Sequence, residues 1–588
     1  SLYRTIPDRY SGRNMIAVNS VSVRGRVAWL AAAMLVAAAL RVGLAWTMPC
    51  ISRDGITFIG YAQRLQESPR EEMRRQKQHP LFPAAVLAAA RGLERIGLGS
   101  RDEVVHWTRA GKFVSIVAGV GLVPAMYLLA RILFNARVGL VAAFCTAVLP
   151  ELCRYGGDVL SDSLHLLCYV LGLAVGLSGL QRRSLLRLAG AGVLAGLAFL
   201  VRPEGGEVAL VVCAAACLPR WYRATAQGGP GAVAPPWRWH RRLAASLICA
   251  SGFALVAAPY MGTTGRIIQK KSPLRFLGQE ADAGPCGAAT LAQTPGVRHC
   301  EGATCPALAG GTRRPSGRTL RASVDALAVI DGVVAGVSAA GKTMLNWVRS
   351  LRVMYLLPAV AWFFLGHHRP RPAVIWPVPA ATWFLHAGVC VLLICRFDYW
   401  NLFSMRHVLV LAALTLPLTA AGLVGLADLL ASRLRPGPPI WLVWVALGVS
   451  MVGPTLPWLL RAPNQDYAYL RDVGEWIARH YPPPQRILTD QWHVPFYARG
   501  VLSEEIKGAM TNRWQGTANA ADLCRWIKRQ RPDLVVLDEG HLLRDNAGFF
   551  ADLDKAAVQS GTLRLVYSHS LPQTRGRPRG VRVYEVRP

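Results

Sequence analysis

One carboxylate stands out for the chemistry it could do. In Cys50-Ile51-Ser52-Arg53-Asp54-Gly55-Ile56-Thr57-Phe58-Ile59-Gly60-Tyr61, an aspartate follows directly on the long apolar run Val27–Trp46. Asp54 is therefore expected at a membrane surface, at the mouth of whatever the apolar helices enclose. Ionised side chains become costly toward the bilayer centre, by about 2.5 kcal/mol or more, so a carboxylate kept this close is a functional candidate. Asp54 has the chemistry of a general base, and Tyr61 and His79 follow it in the same stretch. The plainer alternative is a solvated loop residue.

The elements that must position Asp54 follow from hydropathy. Of 588 residues 52% are hydrophobic and 17% charged, with a mean hydropathy of +0.28. The apolar residues gather in blocks of roughly 20, the length that crosses a hydrocarbon layer. Spans are expected at about 27–46, 109–133, 137–150, 159–180, 185–201, 206–219, 243–262, 351–366, 373–395, 405–428 and 439–460. About eleven crossings from an inside N-terminus would leave the C-terminus outside. No small-residue cleavage site follows Val27–Trp46, so it reads as a retained span.

The net charge of +32 would suit nucleic acid, but arginine placement argues for a membrane instead. Arg4, Arg9, Arg13, Arg24 and Arg26 precede the first span. Further groups stand at Arg131 and Arg137, at Arg182, Arg183 and Arg187, and at Arg220, Arg223, Arg238, Arg241 and Arg242. Arg369, Arg371, Arg433 and Arg435 complete the series. Alternation with arginine-poor connections is the positive-inside pattern, and some of these charges suit anionic lipid phosphates. Of 13 cysteines, Cys145, Cys168, Cys213, Cys217, Cys249 and Cys390 lie in apolar runs as small core residues. Cys286, Cys300 and Cys305 share one loop where a disulfide would fit, and their spacing matches no zinc motif well.

Three regions follow: a basic cytoplasmic N-terminus (1–26), a transmembrane region (27–460) with external loops 47–108 and 263–350, and a soluble α/β region (464–588). In the first loop Phe58, Ile59, Tyr61, Ala62 and Leu65 recur at helical spacing, as in an interfacial amphipathic helix. His79-Pro80-Leu81-Phe82-Pro83 opens a second helix, 84–98, and Gly/Pro-rich stretches at 226–236 and 283–318 read as linker and loop. After residue 464, helices at 469–481 and 521–530 alternate with strands at 486–490, 534–538, 563–568 and 581–586. Asp490-Gln491-Trp492-His493 and Asp538-Glu539-Gly540-His541 follow two of these strands, where α/β sheets usually bind ligands. Ordinary loop polarity explains them more simply. Gly336-Val337-Ser338-Ala339-Ala340-Gly341-Lys342-Thr343 fits a phosphate-loop pattern, but that pattern has meaning only between a strand and a helix of one nucleotide-binding fold.

The order of motifs resembles a family. A first span ending in an acidic motif, the His79–Pro83 loop and many further spans resemble the GT-C glycosyltransferases. The similarity is greatest to the bacterial branch related to protein O-mannosyltransferases and lipid A aminoarabinose transferases. Gly157-Asp158-Val159-Leu160-Ser161-Asp162-Ser163-Leu164, Leu200-Val201-Arg202-Pro203-Glu204-Gly205 and Ser404-Met405-Arg406-His407-Val408-Leu409 extend the resemblance over roughly residues 25–460. It implies a polytopic α-helical membrane protein with a small C-terminal α/β extracytoplasmic domain, in a bacterial cytoplasmic (inner) membrane. The implied function is an inverting transferase moving a sugar from a polyprenyl-phosphate donor to a glycan, lipid or protein acceptor at the outer face. Membrane lipids are the other implied partners, and nucleic acid is not one.

In that chemistry Asp54 is the base that takes the acceptor hydroxyl proton. The phosphate leaving group needs fixed cations, for which Arg202 comes first and Arg406 and His79 next, because guanidinium meets phosphate bidentately; a structural anchor at a span end is the alternative for each. Arg53, Tyr61, Asp158, Asp162 and Glu204 are expected to meet substrate; capping of a helix start is the alternative for Asp158 and Asp162, and pairing with Arg202 for Glu204. Many relatives carry a second acidic residue after the aspartate, where this chain has Gly55. That departure weakens a metal-bridging role, and no cofactor motif is present, although a divalent metal stays compatible with the chemistry. A transporter or flippase of lipid-linked glycans and a non-catalytic membrane scaffold are the competing functions. Against transport, there is no evident internal repeat, and the charged residues gather at span ends.

Overall fold

The computed structural model describes residues 22–218, 238–266, 319–365, 377–396, 403–433, 440–482, 485–489, 491–499, 531–538, 563–574 and 577–587, with isolated positions between them. The expected linker 226–236, the loop 283–318 with Cys286, Cys300 and Cys305, most of the helix at 521–530, and Asp490 and Glu539–His541 lie outside the described residues. Ten helices open the chain: α1 (Val23–Thr47), α2 (Arg53–Glu67), α3 (Pro69–Arg75), α4 (Leu81–Arg95), α5 (Glu103–Leu133), α6 (Ala136–Val148), α7 (Pro150–Gly157), α8 (Asp162–Arg182), α9 (Leu185–Val201) and α10 (Gly206–Cys217). Long helices follow at Trp239–Thr264, Thr319–Leu365, Pro377–Arg396, Leu409–Arg433 and Ile440–Val452.

Among the described residues seven helices are long and apolar enough to cross a membrane, or eight if the bent pair α6 and α7 is one span. The higher expected count has a physical explanation. The expected spans at 185–201 and 206–219 form helices of 17 and 12 residues, each short of the roughly 20 that a crossing needs. The apolar stretch at 351–366 belongs to the 47-residue helix Thr319–Leu365, kinked at Arg352. This long helix also contains Gly336–Thr343 in full, so the phosphate-loop pattern is helical backbone, with the Thr343 hydroxyl donating to the Ala339 carbonyl at 2.9 Å.

A break between α6 and α7 shapes the site. Pro150 has no N–H to continue α6, and the two helices diverge by 54°. The fully buried Arg41 of α1 covers the freed end: its Nη1 donates to the Ala147 carbonyl at 3.3 Å, and its Nη2 lies 3.5 Å from that of Thr146. A cation at a helix C-terminus also meets the negative end of its dipole. Room for the guanidinium comes from Gly119 and Gly156, where a Cβ would stand 2.5 and 2.7 Å from Arg41 Nε. The redirected α7 then holds Glu151 against Arg352 at the kink (2.5 Å) and delivers Asp158 to the first loop.

After residue 464 a helix, Ala468–His480, covers a four-stranded mixed sheet: β1 (Ile487–Thr489), β2 (Leu534–Asp538), β3 (Leu563–Thr574) and β4 (Arg577–Val586), in the order β1-β2-β4-β3. β1 and β2 run parallel, and β4 is antiparallel to both β2 and β3. Leu470, Val473 and Ile477 of the helix pack on Ile487, Leu534, Val536, Val581 and Val583. The short helix His493–Tyr497 follows β1 and meets the segment before α2.

Candidate functional site

Asp54 is not in an open loop. It lies in the first turn of α2, whose N-cap is Ser52, with the Ser52 hydroxyl accepting from the Gly55 N–H at 3.3 Å. An acidic group there also faces the positive end of the helix dipole. Its carboxylate is half exposed and paired with Nη1 of Arg406. Arg406 stands on a 3-10 turn, Met405–Val408, capped by Ser404. The same guanidinium reaches Asp162 through Nε (3.0 Å) and Nη2 (2.8 Å). Asp162, 1% exposed at the start of α8, takes Arg202 Nη1 on its other oxygen at 2.7 Å. Arg202 is the C-cap of α9, just before the Pro203–Gly205 turn.

Four elements far apart in sequence thus bring Asp54, Asp162, Arg202 and Arg406 together. A small cavity beside them is lined by Asp162, His165, Arg202, Glu204, Arg406 and His407. His386 lines it too: its Nε2 donates to the His407 carbonyl at 2.8 Å, while Nδ1 meets the Glu207 carboxylate at 3.1 Å. Glu207 also accepts from Tyr169 at 2.8 Å. That buried network fixes the turn that carries Arg406.

Four expected site residues, Asp158, His79, Arg53 and Tyr61, are held elsewhere in this geometry. Asp158, 4% exposed, accepts from the N–H groups of Ser52 (3.2 Å) and Val159 (2.7 Å) and from Asn464 Nδ2 (3.1 Å). Burial pushes its carboxyl above the usual value, against those hydrogen bonds and the charge of Lys112. Neither Asp158 nor Asp162 is an N-cap: the residue before α8 is Ser161, which makes no side-chain capping bond. His79 is buried between the rings of Phe199 and Tyr260, at 5.0 and 5.2 Å, and is not among the residues lining the cavity. Arg53 lies over the Trp492 ring at 4.8 Å. Tyr61 is fully buried, burial pushes its phenol up, and its hydroxyl has no hydrogen-bond partner among the described residues. Among those residues no group of three or more His, Cys, Asp or Glu could hold a metal ion.

A family profile described as dolichyl-phosphate-mannose-protein mannosyltransferase matches residues 106–256. No curated protein matches the chain. An archaeal oligosaccharyltransferase, AglB from Archaeoglobus fulgidus, solved with an inhibitory peptide and a dolichol-phosphate, aligns with a TM-score of 0.53 at 13% identity, covering 90% of this chain and 72% of its own. ArnT from Cupriavidus metallidurans, bound to undecaprenyl phosphate, aligns with a TM-score of 0.51 at 13% identity, covering 95% of this chain and 98% of its own. The chain has the GT-C fold.

Within this GT-C fold the C-terminal region grips the backbone just before Asp54. The Ile51 N–H donates to the Tyr497 hydroxyl (3.1 Å), His493 Nε2 donates to the Ile51 carbonyl (3.1 Å), and Arg471 donates to the Pro49 carbonyl (2.8 Å). His493 is thereby a contact between regions, and burial pushes its ring down to about 4. Asp538 is turned inward, accepting from Tyr469 and Gln491 at 2.8 and 2.9 Å. Sequence reasoning missed His165, Glu207 and His386. Their signal was present: ionisable residues inside apolar helices.

Proposed function

We propose that the protein transfers a sugar from a polyprenyl-phosphate donor to an acceptor at the outer membrane face, with inversion at the anomeric carbon. One observation carries this reading: a half-exposed carboxylate, Asp54, and a buried one, Asp162, share a single guanidinium, with a second arginine beside them. Asp54 is the base. It takes the acceptor O–H proton as that oxygen bonds to the anomeric carbon, the bond from that carbon to the phosphate oxygen breaks, and polyprenyl phosphate leaves with the electron pair. Base assistance of this kind contributes roughly 10²–10⁴-fold.

Arg202 has the larger part in holding the leaving phosphate, because its contact with Asp162 uses one terminal nitrogen. All three nitrogens of Arg406 already face carboxylates. A bound phosphate competes for Arg406 Nη1, so donor binding releases Asp54 for its proton. The alignments with a dolichol-phosphate complex and an undecaprenyl-phosphate complex support a lipid-linked donor, and the arginine distribution supports an external site. The test is consumption of a panel of undecaprenyl-phosphate sugars by purified protein in membranes supplying acceptor. The wild type is expected to consume at least one, and Asp54→Asn to lose at least about 100-fold in rate while still binding undecaprenyl phosphate. Undiminished consumption by the variant removes Asp54 from the mechanism.

A further inference from the structure

The cavity beside the arginines is lined by a histidine with one ring nitrogen unpaired among the described residues. His165 is 2% exposed and lies on α8 one turn after Asp162, on the same face. Its Nδ1 stands 3.3 Å from the Ala198 carbonyl, which can only accept, so Nδ1 carries the hydrogen. Nε2 has no hydrogen-bond partner among the described residues. A second proton there would create a buried cation whose N–H meets no acceptor within hydrogen-bond distance among the described residues, although the Glu204 carboxylate lines the same cavity, so Nε2 keeps its lone pair. His165 also lines the cavity bounded by Arg202 and Arg406.

We infer that His165 Nε2 is the acceptor of a subsite for a hydroxyl or amine of the donor sugar. A buried acceptor left unpaired is destabilising, so its partner is a donor group: a water in the free protein, and a ligand hydroxyl or amine in the complex. A phosphate oxygen or a carbonyl cannot fill that role, whereas the ring attached to a lipid phosphate presents several donors. With the phosphate at the guanidinium groups, the sugar is the part of the molecule next to them. His165 then selects among sugars by the position and direction of one donor, since a site built to receive a hydrogen bond rejects a ligand that cannot make it. This inference rests on the function proposed above.

The test is a binding titration of purified protein in lipid nanodiscs with undecaprenyl phosphate and with its mannose, glucose, galactose and 4-amino-arabinose derivatives. The wild type is expected to bind at least one sugar-bearing lipid more tightly than the bare one. His165→Leu should weaken that binding roughly 5- to 20-fold and leave bare undecaprenyl phosphate unchanged. His165→Phe repeats the deletion in a ring of similar shape should the leucine variant fail to fold. His165→Gln, which can place an amide oxygen near the Nε2 position, should stay within about threefold of the wild type. Equal losses for both kinds of lipid, no loss for either, or a wild type that binds bare and sugar-bearing lipids alike overturns the subsite. A wild type that binds none of these lipids instead refutes the lipid-phosphate reading of the whole site.

Discussion

Adding one methyl group at Gly55 tests whether α2, and with it Asp54, is seated as described. A Cβ there would lie 2.9 Å from the Val159 carbonyl oxygen and 3.0 Å from Val159 Cβ, atoms that no side-chain rotation can move away. The other face of Val159 presses on Gly111 of α5, where a Cβ would stand 2.5 Å from Val159 Cγ1 and 3.0 Å from Cγ2. Overpacking of this kind costs roughly 1–3 kcal/mol. Alanine in place of glycine returns up to about 1 kcal/mol in a helix, so Gly55→Ala should destabilise by about 1–2 kcal/mol. The double-mutant cycles with Val159→Ala should differ. That change removes the atoms that obstruct Gly111→Ala and leaves those that obstruct Gly55→Ala. Coupling of about 1–2 kcal/mol is expected for the 111/159 pair and close to zero for 55/159, read from thermal melting of the purified protein. Wild-type melting of Gly55→Ala, or equal coupling in the two cycles, would refute the seating of α2. The same contact explains why no second carboxylate follows Asp54: Gly55→Glu should lose more stability than Gly55→Ala.

Two further outcomes follow from buried charge. His493, pushed down to about 4 from an unfolded value of 6.5, adds stability that is complete above pH 6.5 and is lost as pH falls toward 4. At pH 5 the loss is about 2 kcal/mol by linkage, and it should appear as faster amide exchange in residues 48–53, flattened in His493→Gln; pH-independent exchange there contradicts the assignment. Glu151→Gln leaves Arg352 without its carboxylate at a kinked residue with φ of 59°. Breaking a buried pair costs 3–5 kcal/mol, and with the Arg352 side chain 21% exposed the expected loss is about 2–3 kcal/mol in melting stability. Much of it should return in Glu151→Gln/Arg352→Met; wild-type melting of the single variant would show the pair to be dispensable.

The helices and strands were legible because hydropathy and periodicity are local signals: α2, α9, the helix Ala468–His480 and strand β2 lie within a few residues of where the pattern puts them. Ser52 three residues before Gly55 carried the cap signal that places Asp54 in a helical turn rather than a loop. Asp158 and Asp162 stand four residues apart in one polar motif, and nothing local separates a carboxylate that holds backbone N–H groups from one that holds two arginines. That division depends on α2, α9 and the turn at Met405 arriving from elsewhere in the chain. His79 looked reactive beside its prolines, and only the approach of α9 and the helix Trp239–Thr264 shows it closed in by Phe199 and Tyr260. His165, Glu207 and His386 were hidden by the apolar runs around them, since averaged hydropathy dilutes a single ionisable residue.

The position of Asp54 is over-determined, and that bears on what the site can do. From the membrane side, Arg41 holds the broken end of α6, the break turns α7, and α7 brings Asp158 to the Ser52 N–H that starts α2. From the other side, His493 and Tyr497 hold both polar groups of the Ile51 peptide backbone. Opposite them, His386 holds the turn of Arg406 through the His407 carbonyl. A carboxylate tied down only to meet a guanidinium would gain little, because an ion pair open to water is worth about 1 kcal/mol or less. A base that must stand within hydrogen-bond reach of an incoming hydroxyl gains far more, since small misplacements cost orders of magnitude in rate. The support from both flanks is therefore what the role proposed for Asp54 requires, and more than its ion pair alone would need.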